Sequence, residues 1–141
     1  MKSLSRINFN NIKTVGIRVD FNIPVDEHFI ITDNTRLLRA RDTINFVKDQ
    51  NCKILLLSHF GRPKKTFDKK FSFQTLIDQF SEVLDVKLNL LTYESFSKNG
   101  LSDFKNLNHQ ITLLENIRFF KGEIDNEVTF SKLITDELDL Y

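Results

Sequence analysis

Residues 53–63 read KILLLSHFGRP, an apolar run that stops abruptly at Ser58, His59, Phe60, Gly61 and Arg62, with Pro63 behind them. Three other runs share its character: TVGIRV at 14–19, VKLNLL at 86–91 and ITLL at 111–114. Longer stretches of helical period lie between them. Strand-sized runs alternating with helix-sized segments predict an α/β fold, a parallel sheet covered by helices. Residues 34–50 set Leu37, Leu38, Arg41, Ile44, Phe46 and Val47 at roughly helical spacing, with Thr32 or Asp33 as the N-cap. Residues 72–84 repeat the theme, with Phe73, Leu76, Ile77, Phe80, Val83 and Leu84 on one face and Ser72 as the cap. Residues 93–101 suit a helix or a turn. The last helical stretch is 127–138, with Phe130, Leu133, Ile134 and Leu138 as its buried stripe.

Two segments break the regularity. After Pro24, VDEHFII at 25–31 has a polar tip between apolar flanks and predicts an antiparallel excursion or small hairpin. RPKKTFDKK at 62–70 holds five basic residues and one acid and contains a proline near its start, so it is a loop. At the far end, Asp139, Leu140 and Tyr141 look like the opening of a further strand, which suggests a chain cut short.

A length of 141 residues accommodates one domain. Twenty basic and 19 acidic side chains leave a net charge of +1, and 40% of residues are hydrophobic. That balance excludes a disordered polyelectrolyte, a nucleic-acid coat or a polybasic membrane tail as a description of the whole. No apolar stretch approaches the ~20 residues of a membrane span, and the first residues lack a secretory apolar core. A single cysteine, Cys52, fits a reducing compartment and a packing role. The expectation is a cytoplasmic monomer with neither nucleic acid nor membrane as partner and no bound metal.

In an open parallel sheet, ligands bind beyond the carboxyl ends of the strands. The first run ends in Asp20, Phe21 and Asn22, the second in the Ser58 to Arg62 cluster, and the fourth in Glu115, Asn116, Ile117 and Arg118. Arg36 stands in the first turn of the first helix, where the macrodipole disfavours a cation, which points to a role outside the helix. Arg36, His59, Arg62 and Arg118 on one rim make a positive basin, and guanidinium suits phosphate or carboxylate. Gly61 lets backbone approach a ligand closely. A small phosphate ester bearing a carboxylate is the natural ligand class. Singly, each residue has a plainer reading: a solvated arginine, a turn-forming Asp20 or Asn22, a satisfied structural histidine. Their coincidence at three strand ends favours a shared site. Lys64, Lys65, Lys69 and Lys70 read as a solvated loop rather than a nucleic-acid contact, because no stacking aromatics alternate with them. No GxGxxG, GxxxxGK[ST], GxSxG or HExxH pattern occurs.

Together RVDFNIP at 18–24, TDNTR at 32–36, LLSHFGRP at 56–63 and LLENIRF at 113–119, followed by Gly122 and Glu123, resemble the signatures of the phosphoglycerate kinase family, in order and spacing. The resemblance covers nearly the whole chain but only about the first third of a family member. It implies a Rossmann-like open parallel sheet with helices on both faces, a partial N-terminal domain spanning residues 1–141 and incomplete at its C-terminus. It also implies glycolytic phosphoryl transfer between 1,3-bisphosphoglycerate and ADP, giving 3-phosphoglycerate and ATP. Asp20, Phe21 and Asn22 would line the 3-phosphoglycerate pocket; Arg62 and Arg118, with His59, Phe60 and Gly61 beside them, would hold its phosphate. Arg36 would reach the phosphoryl group in flight, as the catalytic residue. Mg-ATP or Mg-ADP would belong to the nucleotide domain, which is absent from these residues, so the chain would supply half an active site. Phe60 replaces the family's usual leucine, and the excursion at 26–29 lacks its usual turn glycine. The alternative is an anion-metabolite-binding domain without catalysis, or an inactive gene fragment.

Overall fold

A computed structural model describes residues 4–64 and 66–141; Lys65, one of the loop lysines above, lies outside the described residues, as do residues 1–3. Four strands, β1 (Thr14–Arg18), β2 (Lys53–Leu57), β3 (Leu88–Leu91) and β4 (Ile111–Leu114), form one parallel sheet in the order β1-β2-β4-β3. The helices are α1 (Thr35–Lys48), α2 (Ile77–Leu84), α3 (Tyr93–Asn99), α4 (Ser102–Asn106), α5 (Lys121–Ile124) and α6 (Val128–Thr135). All four apolar runs are strands, although the third starts two residues later than its sequence suggests.

Side chains alternate across a strand, and that alternation builds two cores. Ile54, Leu56, Ile111 and Leu113 point to one face, where Leu37, Ile44 and Val47 of α1 meet Phe80 and Leu84 of α2. Leu55, Leu57 and Leu114 point to the other, against Phe96 of α3, Phe104 of α4 and Ile134 of α6. The helices change faces because the chain reverses its travel. It moves outward through β2 to β3, then steps back to β4, and a right-handed crossover taken in the opposite direction covers the opposite face.

Helix ends depart from expectation in instructive ways. Asp33, not Thr32, serves α1, its Oδ1 accepting from Thr35 N–H at 2.8 Å, while Asn34 occupies the cap position. The Thr35 hydroxyl most of all, then the Thr35 amide, with Arg36 and Arg39 nearby, hold the Asp33 carboxyl below its ordinary range. Residues 72–84 do not form one helix: Ser72 caps a short 3-10 turn, Phe73–Thr75, and α2 begins only at Ile77. Residues 93–101 resolve into α3, and α4 follows without a clear periodic signal. Leu133 is 50% exposed, so the buried stripe of α6 narrows to Ile134 with Phe130 and Leu138 partly covered.

The excursion after Pro24 is a tight antiparallel turn joined by a Val25–Ile31 bridge. Asp26 Oδ1 accepts from the His28 and Ile30 amides, and Phe29 takes φ +60°, the conformation a glycine adopts freely. Gln79 of α2 clamps it, donating to Phe29 O at 2.8 Å and accepting from Ile31 N–H at 3.0 Å.

The last residues do enter the sheet. Leu140 bridges Val15 in parallel and accepts from Gly16 N–H at 2.8 Å, on the free edge of β1. Gly16 permits this: a Cβ there would meet Leu138 Cδ1 at 2.5 Å and Tyr141 Cδ2 at 2.7 Å. Asp139 anchors the approach, its Oδ2 accepting from the Lys13 amide, the Thr14 amide and the Thr14 hydroxyl at 2.8, 2.9 and 3.1 Å. These donors lower its pKa, the Lys13 amide contributing most. A depressed carboxyl pKa stabilises the folded edge above the ordinary carboxylate range and loses that contribution as pH falls through the folded value. Asp139→Asn is expected to speed amide exchange at Gly16 several-fold at neutral pH, and acidification of the parent chain through the folded pKa to lower the Gly16 protection factor once the slower intrinsic exchange at low pH is divided out. Unchanged Gly16 protection in the variant would show that the strand is held without the carboxylate.

Candidate functional site

β2 and β4 are neighbours whose following segments leave for opposite faces, toward α2 and toward α6. Such a switch point opens a crevice at the carboxyl ends of the strands. The two motifs that flank it are bonded into one unit. Asn116 is fully buried, and its Nδ2 donates to Phe60 O at 2.7 Å and to Phe71 O at 2.9 Å. Its Oδ1 accepts from Arg118 N–H at 3.1 Å, capping the 3-10 turn Ile117–Phe119 that carries Arg118. Glu115, 2% exposed, accepts from Phe73 N–H and Asn116 N–H through Oε1 and from the Ser72 hydroxyl through Oε2.

Gly61 is where three strand ends converge. Its N–H donates to Asn22 Oδ1 at 2.9 Å, from the end of β1, and its carbonyl accepts from Arg118 Nη1 at 2.7 Å, from the end of β4. Gly61 has φ +60°, and a Cβ would strike the Phe71 ring at 2.4 Å, so both conformation and space demand glycine. The first strand end is fixed to the second as well, because Phe21 N–H donates to Ser58 Oγ at 2.9 Å in a buried contact.

Arg36, at the start of α1, turns away from its helix. Its Nη1 donates to both Asp20 oxygens, at 3.0 and 2.8 Å, and to Asn22 O at 3.0 Å. The aspartate at the end of β1 offsets the cation's conflict with the helix dipole. His59 is half-buried; burial pushes its pKa down, and Arg118, Arg18 and Arg36 push the same way while Asp20 opposes them. Burial is the larger cause, and an anion on the rim would offset the arginines' share of the shift. Arg62 is exposed and, among the described residues, makes no hydrogen bond or ion pair.

The structure thus gathers Asp20, Asn22, Arg36, His59, Gly61 and Arg118, with Arg62 beside Gly61 in the chain. Two predicted pocket residues point elsewhere. Phe21 is fully buried, with its ring 5.2 Å from that of Phe80, and Phe60, 6% exposed, packs on Phe71 and Phe73. Their backbones border the site while their rings support it from below. Sequence reasoning missed Arg39, which lines an open groove of about 390 Å³ together with Arg18, Asp20 and Arg36. The signal was available in the three-residue spacing of Arg36 and Arg39 on one helix face. Arg18 itself pairs with Glu123 at 2.8 Å.

Among the described residues, no group of three or more His, Cys, Asp or Glu side chains is placed to hold a metal ion, and no helix is long and apolar enough to cross a membrane. A rim of cations is a poor seat for magnesium.

Comparison with known proteins bears on this geometry. The phosphoglycerate kinase family model matches residues 4–141. The phosphoglycerate kinase of Campylobacter fetus is 34% identical over 140 residues, spanning 99% of this chain and 35% of the relative. That of Geobacter metallireducens is 37% identical over 131 residues, 92% of this chain and 32% of the relative. Among solved structures, the enzyme from Coxiella burnetii superposes with a TM-score of 0.78 at 33% identity, over 96% of this chain and 33% of its own. The enzyme from Pyrococcus horikoshii gives 0.68 at 26% identity, over 88% and 30%. The chain therefore spans about a third of the length of the curated relatives it matches. With a family match over all but its first three residues and an open parallel α/β sheet common to it and these solved structures, the chain belongs to the phosphoglycerate kinase family.

Proposed function

We propose that this chain binds 3-phosphoglycerate and 1,3-bisphosphoglycerate and contributes that half of the phosphoglycerate kinase reaction, the transfer of a phosphoryl group between 1,3-bisphosphoglycerate and ADP. The observation that carries the reading is the convergence on Gly61. Asn22 and Arg118 are both bonded to one glycine at the switch point, and His59 and Arg62 flank it. Arg118, Arg62 and His59 form a cradle for the phosphate that does not react. Asp20 and Asn22 face the hydroxyl and carboxyl end of the substrate, and Arg36 reaches from the opposite side toward the group being moved.

Phosphoryl transfer asks for positioning and for neutralised charge rather than for covalent chemistry, so arginines on fixed frames are the parts it needs. His59 adds a ring whose protonated form a bound anion would favour. The nucleotide and its magnesium are assigned to residues outside these 141. Solution behaviour as a cytoplasmic monomer, without nucleic-acid or membrane partners, completes the proposal.

Affinity of the 141-residue chain is set by a few charge-assisted bonds of roughly 1.5–3 kcal/mol each against an association cost of about 4–15 kcal/mol. A dissociation constant on the order of millimolar is expected. Chemical-shift titration with 3-phosphoglycerate is expected to move the amides of His59, Gly61, Arg62 and Arg118 together. An unchanged spectrum at roughly ten times that concentration would overturn the assignment.

A further inference from the structure

The basic loop between Gly61 and Phe71 adjoins the site and supplies none of the hydrogen bonds that join Asn22 and Arg118 to Gly61. It is not loosely hung. Asn116 Nδ2 bonds the carbonyls of Phe60 and Phe71 at once, so one buried amide pins the two ends of the loop side by side. Near its middle, Phe67 folds back onto the second core, its ring 5.6 Å from Tyr93 and 5.1 Å from Phe119. Asp68 then caps the short turn Lys69–Phe71, accepting from Lys70 N–H at 3.1 Å. The Lys70 ammonium sits 5.7 Å from the centre of the Phe71 ring, the ring against which Gly61 is packed.

Three anchors of the loop, Asn116, Phe119 and Phe71, also hold the phosphate cradle. Asn116 caps the turn that carries Arg118, Phe119 follows Arg118 directly, and Phe71 lies under Gly61, whose carbonyl holds the Arg118 guanidinium. Lys64 is three residues from Gly61, within about 11 Å of chain. Lys69 and Lys70 lie next to Phe71. Against a whole-chain net charge of +1, these ammonium groups form a local excess, and none has an ion-pair partner among the described residues. Charges anchored in the chain beside Gly61 and Phe71 act through a Debye length of about 10 Å at roughly 0.1 M ionic strength.

We propose that Lys64, Lys69 and Lys70 of this loop are an electrostatic guide for anions entering the Gly61–Arg118 cradle. Lys64, Lys69 and Lys70 raise the local concentration of a multiply charged phosphate ester without bonding to it in the final complex, and Phe67 holds them in place. The proposal rests on the cradle being the ligand site. It makes the loop sensitive to the ligand's total charge rather than to its shape, because fixed charges at this range act through the field and not through hydrogen bonds.

The experiment compares the 141-residue chain with the triple variant Lys64→Gln, Lys69→Gln, Lys70→Gln and with Phe67→Ala. Each is titrated with 3-phosphoglycerate by chemical shift at about 20 mM and at about 500 mM salt. The triple variant is expected to bind about tenfold more weakly at the low salt and within about twofold of the parent at the high salt, with the same amides shifting at saturation. Phe67→Ala is expected to lose part of the low-salt advantage while keeping all its lysines. Should the parent bind and the triple variant match it at both salts, the guide is disproved and the cradle stands. A loss in the triple variant that is equal at both salts would make the lysines direct ligands and also overturn the proposal. If the parent shows no shifts at Gly61 and Arg118, the cradle fails and the guide fails with it. Far-ultraviolet dichroism of each variant, expected to overlay the parent, separates a charge effect from a folding defect; if Phe67→Ala unfolds, the triple variant still decides the charge effect.

Discussion

Glu115→Ala is expected to lower the unfolding free energy by about 3–5 kcal/mol, a large share of the roughly 5–15 kcal/mol that holds a domain together. The side chain is 2% exposed, and two of its three hydrogen bonds join the end of β4 to the segment that leads into α2, while the third is to the Asn116 amide. Removal strands the Phe73 amide and the Ser72 hydroxyl in a buried site, and each buried donor without a partner costs about 1–3 kcal/mol. Ser72 in turn caps the Phe73–Thr75 turn, so the loss spreads to the Gln74 amide. Glu115→Gln is expected to cost less, because it keeps the shape and the Ser72 hydroxyl can rotate to accept from the new amide. Urea unfolding measures both. A Glu115→Ala midpoint within about 1 kcal/mol of the parent would mean that water replaces the carboxyl group, and that the network is not what closes this end of the sheet.

Much of this architecture is legible in the sequence because it depends on short-range pattern. The run at 53–57 is strand because its residues supply both cores at once, Ile54 and Leu56 to one and Leu55 and Leu57 to the other. Helix α1 and the half-buried face of α6 follow from spacing in the same way. Other features depend on partners far away in sequence and leave no local mark. Nothing near Phe21 says that its ring belongs in the core against Phe80, since a residue between Asp20 and Asn22 is equally placed to line the rim. The division of residues 72–84 into a turn and a helix comes from Ser72 and Phe73 being drawn to Glu115, about forty positions on. Asn116 stands in a quoted motif, yet its staple across Phe60 and Phe71 appears only when the loop closes. The cations of the rim were readable because a strand end advertises itself. Which of them already has a partner was not: Asp20 claims Arg36 and Glu123 claims Arg18, while Arg62 is left for solvent or ligand.

Arg36→Ala, placed in a phosphoglycerate kinase chain long enough to turn over, is expected to lower kcat by roughly 10³-fold while the Kd for 3-phosphoglycerate changes far less. The structure supplies a reason for the asymmetry. Among the described residues, the three hydrogen bonds of Arg36 all leave from Nη1, two to Asp20 and one to Asn22 O, which fixes the plane of the guanidinium and leaves the donors on Nη2 and Nε for an anion. A group positioned in this way adds little to the resting ligand but meets the charge that spreads over the transferred phosphoryl oxygens as the bond breaks. Arg118, bonded to Gly61 O, is assigned to the phosphate that stays intact, so Arg118→Ala is expected to raise KM and leave kcat nearly unchanged, as the loss of uniform binding does. Arg36→Lys is expected to recover only part of the rate, because one ammonium cannot hold Asp20 and present a second pair of donors together. Steady-state rates paired with calorimetric binding on each variant separate the two roles. Equal losses of rate and binding on Arg36→Ala would make Arg36 a ground-state anchor like Arg118, and no change in either would leave its bond to Asp20 as a contact that serves the fold of β1 and α1 alone.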